Sequence, residues 1–280
     1  MNRPTGQCSK SGKQGTDMKI IDMHSHIFPP GVAEKVIDAL ETFYGSRWNG
    51  TGELDDLLRN LRQAKICRSV IFSSATKPSQ VIPINNFVSR LQQEYPELLI
   101  AFGTLHPDFP DCAGEIRRIR ELGLRGLKFH PDFQQFNIDD PCMDKIYEAA
   151  GDTMPLLFHT GDKRTQYSKP ERLLNVHKRY PELKLIAAHL GGYSEWDRAM
   201  EFLVGQDVWL DTSSSIRFLG PEKARRLVEA HGTDRVLFAS DYPGDTQSQA
   251  VKEVLSMGLS AEDNEKIFWK NAESLLGIRT

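Results

Sequence analysis

The sequence predicts an α/β fold in which eight parallel strands close into a barrel inside a ring of helices. Three observations carry this expectation. Short strands rich in β-branched residues, Leu and Phe alternate with helical segments along most of the chain, and parallel strands need such crossover connections. Eight strand–helix units fit into about 260 residues, the size of a (β/α)8 barrel. Five of the strands run into His or Asp at their C-terminal ends, the rim on which such barrels build their sites. An open doubly wound sheet is the alternative architecture.

The strands are expected at 19–23, 69–72, 98–103, 125–129, 156–158, 184–188, 208–210 and 235–239. Helical spacing runs over 29–44 and 53–65, separated by a Gly/Trp/Asn-rich loop at 45–52. Further helices are expected at 83–95, stopped by Pro96, and at 111–121, with Gly123 just past the end as a C-terminal stop. The remaining helices fall at 139–150, 170–180, 195–203 and 221–229, the last with Pro in its first turn. A closing helix spans 261–276, followed by Gly277.

Charge and composition narrow the function. A net charge of −3 over 280 residues gives no footing for nucleic acid or an acidic membrane. No apolar run approaches the roughly 20 residues that cross a bilayer. Cys8, Cys67, Cys112 and Cys142 show no paired spacing, which fits reduced thiols and a cytoplasmic protein. Residues 1–17 are polar, lack aromatics and have no apolar stretch of a secretory signal. They read as a disordered tail before a single barrel domain at 18–280.

The first strand ends in Asp22-Met23-His24-Ser25-His26. Residues i and i+2 of a strand share a side, so His24 and His26 aim at one point, with Asp22 on the same face one layer deeper. Lys128-Phe129-His130 ends strand four, His159 follows strand five, His189 follows strand six and Asp241 follows strand eight. One such residue is an ordinary strand-end polar group. Five ends converging on one rim make a metal site.

That order of residues, with the stretches GLKFHP, FHTGD, AHLGG and SDYP, resembles the amidohydrolase superfamily. Within it, the sequence is similar to the amidohydrolase-related branch that includes aminocarboxymuconate-semialdehyde decarboxylase-like proteins. The resemblance covers about residues 18–278 and implies a TIM-like barrel with a catalytic divalent metal. It leaves the substrate open, because the branch holds hydrolases, decarboxylases and hydratases.

Three imidazoles and one carboxylate suit Zn²⁺, with Mn²⁺, Fe²⁺ or Co²⁺ as alternatives. His24, His26, His159 and Asp241 are the expected ligands, one ion being favoured over two. A metal-activated water supplies hydroxide near neutrality, with Asp241 also contacting it and His189 as acid/base or carbonyl-polarising group. Lys128 and His130 are expected to bind a substrate carboxylate or a developing oxyanion. The resemblance also allows a carboxylated Lys128 bridging two ions, and a salt bridge from Lys128 to Asp22 or Asp241 is the remaining alternative.

Arg164 and Tyr167 in the loop after strand five, and Arg217 after strand seven, are candidates for holding an anionic substrate. The expected function is a metal-dependent hydrolase acting on a small, carboxylated molecule. A non-oxidative decarboxylase or hydratase is the runner-up, and a non-catalytic ligand-binding barrel a third reading. Neither nucleic acid nor membrane is an expected partner, and a homodimer is compatible with the branch.

Overall fold

A computed structural model describes residues 18–280; the tail expected over 1–17, with Cys8, lies outside the described residues. Eight strands run β1 (Ile21–His26), β2 (Arg68–Phe72), β3 (Leu99–Ala101), β4 (Leu127–Phe129), β5 (Leu156–Phe158), β6 (Leu185–Ala187), β7 (Trp209–Asp211) and β8 (Val236–Leu237). They pair in parallel and in chain order, as β1–β3 and β4–β8. A bridge between Gly103 and Leu127 joins the two arcs, and one between Ser25 and Tyr242 closes the ring. At that seam Met23 N–H donates to Phe238 O (2.9 Å), Asp241 N–H to His24 O (3.0 Å) and His26 N–H to Tyr242 O (2.7 Å). The expected (β/α)8 barrel is what the chain forms.

Alternation along the strands sorts side chains into two buried layers. Val70, Phe72, Ile100, Phe102, Leu157 and Ile186 fill the barrel interior. Ile71, Leu99, Ala101, Leu127, Phe129 and Leu185 pack outward under the helices. Lys128, fully buried, takes the inward position on β4 where its neighbours have apolar side chains.

Outside the barrel lie α1 (Ala33–Tyr44), α2 (Leu54–Gln63) and α3 (Val81–Glu94), then further helices at Cys112–Glu121, Asp144–Ala150, Pro170–Arg179, Trp196–Phe202 and Pro221–His231. Cys112–Glu121 starts where expected because the Asp111 carboxylate accepts from Gly114 N–H at 2.8 Å, and Gly123 turns left-handed after it (φ 76°). No helix of the described residues is long and apolar enough to cross a membrane.

Two expectations need correction. A helix at Gln247–Ser256, capped by Thr246, precedes the closing one; its Gln-rich start hides the apolar stripe of Ala250 and Val254. The closing segment is not one regular helix but Ala261–Glu265, a π-turn at Lys266–Lys270, and Asn271–Leu276.

Candidate metal centre

β1 does not alternate strictly. Asp22 pairs with Ser69 and Ser25 with Ile71, so two residues, Met23 and His24, stand opposite Val70 alone. This bulge turns Asp22 away from the histidines. Its Oδ1 accepts from the backbone of His24 (3.1 Å) and Ser240 (2.9 Å), and its Oδ2 from Ser25 Oγ (2.8 Å) and Ser240 Oγ (2.6 Å). Asp22 therefore latches the ends of β1 and β8 together. It does not touch a histidine ring, contrary to the shared face read from alternation.

The bulge aims His24 and His26 at the same point. Their Nε2 atoms stand 3.2 Å apart, and Asp241 Oδ1 lies 3.2 Å from the first and 3.7 Å from the second. Among the described residues this is the one group of three His, Cys, Asp or Glu side chains close enough to share an ion. Ligands about 2.1 Å from a tetrahedral ion stand roughly 3.4 Å from one another, and the three edges bracket that value. Burial, then Lys128, holds the His24 pKa well below the ordinary range; burial, then His24, does the same to His26. Both imidazoles are neutral, with lone pairs to offer. The donor set fits a divalent cation.

Asp211, at the end of β7, fixes which lone pair that is. His24 Nδ1–H donates to Asp211 Oδ2 at 2.8 Å, which leaves Nε2 unprotonated and facing the cluster. The other oxygen of Asp211 accepts from His189 N–H and Ser213 N–H, each at 3.0 Å. One carboxylate thus orients a member of the cluster and anchors the turn that carries His189. Asp211 lies one residue past the strand expected at 208–210. Its signal was there, since β7 also runs into an acidic residue.

His189 adopts a left-handed backbone (φ 62°). Its Nδ1 lies 3.1 Å from Ser213 O and 2.9 Å from Ser213 Oγ, and its Nε2 lies 3.0 Å from His159 Nδ1. If His189 Nδ1–H donates to Ser213 O, His159 Nδ1–H donates to His189 and His159 Nε2 is left bare. That nitrogen is buried without a hydrogen-bond partner, 3.7 Å from Asp132 Oδ2 and 3.9 Å from Asp162 Oδ2. His159 thus falls outside the group of three that could share an ion, although it was an expected ligand. The glycines of the two loops make the neighbourhood: a Cβ on Gly161 (φ 85°) would come within 2.4 Å of Gly192 Cα. Backbone packs on backbone there, with Tyr193 N–H donating to Thr160 O at 2.7 Å.

Lys128 Nζ reaches to 3.2 Å from His24 Nε2 and 5.0 Å from the Phe72 ring centre. Burial lowers its pKa to about 8, against the opposing pull of Asp211 and Asp241. It makes no salt bridge with Asp22 or Asp241. Burial likewise raises Asp241 to about 6 and lowers His189 to about 4. His130 stacks between Phe133 (4.0 Å) and His159 (4.1 Å), and its Nε2 meets Tyr44 Oη at 3.2 Å. Tyr44, the last residue of α1, was not anticipated from sequence.

Above the group opens a cavity of about 610 Å³, with His26, His159, His189 and Asp241 on its floor. Arg217 lines it, held by Asp245 (3.0 Å) and Ser214 (3.3 Å). Arg164 and Tyr167 do not line it. Arg164 is committed to Asp162, at 2.8 Å and 2.9 Å, to Phe43 O at 2.9 Å, and to the faces of Phe43 and Tyr44. It ties its loop to α1.

A family model described as amidohydrolase matches residues 21–278. The chain belongs to the amidohydrolase family. This amidohydrolase is 25% identical, over 61% of its length and 63% of the relative's, to 2-amino-3-carboxymuconate-6-semialdehyde decarboxylase of Dictyostelium discoideum. It is similar in fold to a 5-carboxyvanillate decarboxylase of Novosphingobium aromaticivorans complexed with manganese and 4-hydroxy-3-methoxy-5-nitrobenzoic acid (TM-score 0.72, 18% identity, 99% of this chain and 100% of that one). A 2,6-dihydroxybenzoate decarboxylase from Rhizobium gives a TM-score of 0.71 at 15% identity, covering 93% and 99%. All three of these proteins are decarboxylases by name.

Proposed function

We propose that this amidohydrolase is a metal-dependent, non-oxidative decarboxylase of a carboxylated aromatic acid. One observation carries the reading. His26 and Asp241 of the three-residue group line the floor of a cavity walled by Tyr44, Trp48, Phe133, Tyr193 and Phe218, with Arg217 at its side. Aromatic walls suit a planar ring, and a guanidinium suits its carboxylate. The names of the decarboxylase relatives support the same direction.

His24, His26 and Asp241 would hold the ion. When bound, a divalent cation supplies Lewis acidity toward a substrate oxygen. Replacing a ring carboxylate by hydrogen needs one proton delivered to the ring carbon as the C–C bond breaks and CO2 leaves. Asp241 is the carboxyl group placed to carry it, lining the cavity with its Oδ2 held by Ser214 Oγ at 2.5 Å. His189 is neutral and held at both ring nitrogens, by Ser213 and His159, so it fixes the ring of His159 beside the site, and the Asp241 proton is restored from solvent. Arg217 aligns the carboxylate, and the aromatic walls exclude water.

The test is product analysis on the manganese- or zinc-loaded enzyme with hydroxylated benzoic acids in deuterium oxide. One CO2 per molecule consumed, with deuterium at the vacated ring carbon, is the expected result. Incorporation of solvent oxygen into the product would overturn it in favour of hydrolysis.

A further inference from the structure

The cavity extends well beyond the metal group, and its outer part has a different chemistry. Val32, Val36, Leu40 and Tyr44 all line it. They recur every four residues, so they form one stripe along α1 and the turn that precedes it. Within α1 only Ala33 is buried in the protein, and the stripe is not spent on the barrel core. On α3, Val81, Asn85 and Val88 are the buried face, whereas Pro83, Ile84 and Phe87 line the same cavity. Two helices thus present aliphatic and aromatic side chains to a space continuous with the histidines and Asp241. The charged lining residues besides the floor and Arg217 reduce to Arg47, exposed in the loop after α1.

A volume of about 610 Å³ belongs with pockets that hold drug-sized ligands of 300–1,000 Å³. A lone benzoate ring at the floor, beside Arg217, leaves the α1–α3 arm in contact with water. Apolar side chains facing water on two helices are stabilised when an apolar group covers them.

We infer that the α1–α3 arm is a subsite for an apolar substituent, so that the substrate is an aromatic acid bearing an alkyl or aryl extension. The inference rests on the decarboxylase reading for the ring and carboxylate, and adds the extension. The acid head meets Arg217 and the metal group, the ring lies between the aromatic walls, and the extension runs along Val36, Leu40 and Ile84.

The test is the affinity of the metal-loaded protein for benzoic acids carrying para-alkyl chains of increasing length, measured by calorimetry. Each methylene should tighten binding roughly three- to fourfold until the arm is filled. Val36→Asp and Ile84→Asp should abolish that gradient while leaving unsubstituted benzoate binding unchanged. Both positions are only half-buried; Val36→Ser, with thermal melting alongside, covers a variant that fails to fold. Affinity that is flat or falls with chain length, or a gradient that survives both Asp variants, would overturn the proposal. So would concentration-dependent dimerisation that Val36→Asp abolishes with no alkyl gradient in the wild type, because the stripe would then belong to a second copy. A gradient without CO2 release would leave the arm standing and remove only the decarboxylase reading.

Discussion

Asp211 Oδ2 accepts a 2.8 Å hydrogen bond from His24 Nδ1, and the same carboxylate holds the backbone of His189 through its other oxygen. One side chain on β7 therefore sets the tautomer of a cluster histidine on β1 and the position of the turn after β6. Partners of this kind set metal affinity by about 10–100-fold. Asp211→Asn should weaken metal binding by that factor, read by competition with a chromophoric chelator. Unchanged affinity would mean that the Asp211–His24 bond does not orient the ligand.

Lys128→Met tests the buried ammonium beside His24. Burial has already lowered its pKa to about 8, and an apolar side chain of similar volume relieves the desolvation. The variant should be at least as thermally stable as the wild type and keep about one metal per chain by mass spectrometry. A drop from two metals to one, with lost stability, would instead identify Lys128 as a carboxylated bridge.

Arg164 and Arg217 should separate cleanly. Arg217→Ala should raise KM for a carboxylated substrate about tenfold or more, the size of a lost hydrogen bond between charged groups. Arg164→Ala should leave KM near the wild-type value and lower the melting temperature, because its guanidinium is spent on Asp162 and Phe43. The reverse pattern would return Arg164 to the substrate.

Acid should destabilise the metal-free protein. All eight histidines have pKa values held below the ordinary value by burial. The unfolded chain therefore binds more protons than the fold as pH drops below about 6.5, and stability is lost. Asp22, Asp132 and Asp241, raised by burial to about 6, act in the opposite sense between about 6 and 4 but are fewer. Melting temperature after chelation should fall from pH 7 to pH 5. A flat or rising profile would show that these histidines are not buried neutral.

The barrel was legible because each strand is a short apolar run followed by a helix, and because parallel strands leave few other ways to connect. His24, His26 and Asp241 were legible from strand ends alone. The orientation of Asp22 was not, because a single extra residue at Met23–His24 reverses the faces before it and leaves no mark in the apolar pattern. Arg164 looked like a mouth residue by position, but its fate depended on Asp162 two residues away and on aromatic faces from α1. Tyr44 and the cavity stripe of α1 carry the periodicity of any amphipathic helix. Only the tertiary placement distinguishes a stripe facing a cavity from one facing the core.

The seam between β1 and β8 has a consequence for how the protein is made. His24 and His26 emerge from the ribosome with the first strand, Asp241 with the last, and the latch at Asp22 waits for Ser240. A nascent chain can offer an ion two imidazoles but not the third donor until the ring closes. An ion held by this group would therefore meet all three donors only once the last strand has closed the ring on the first.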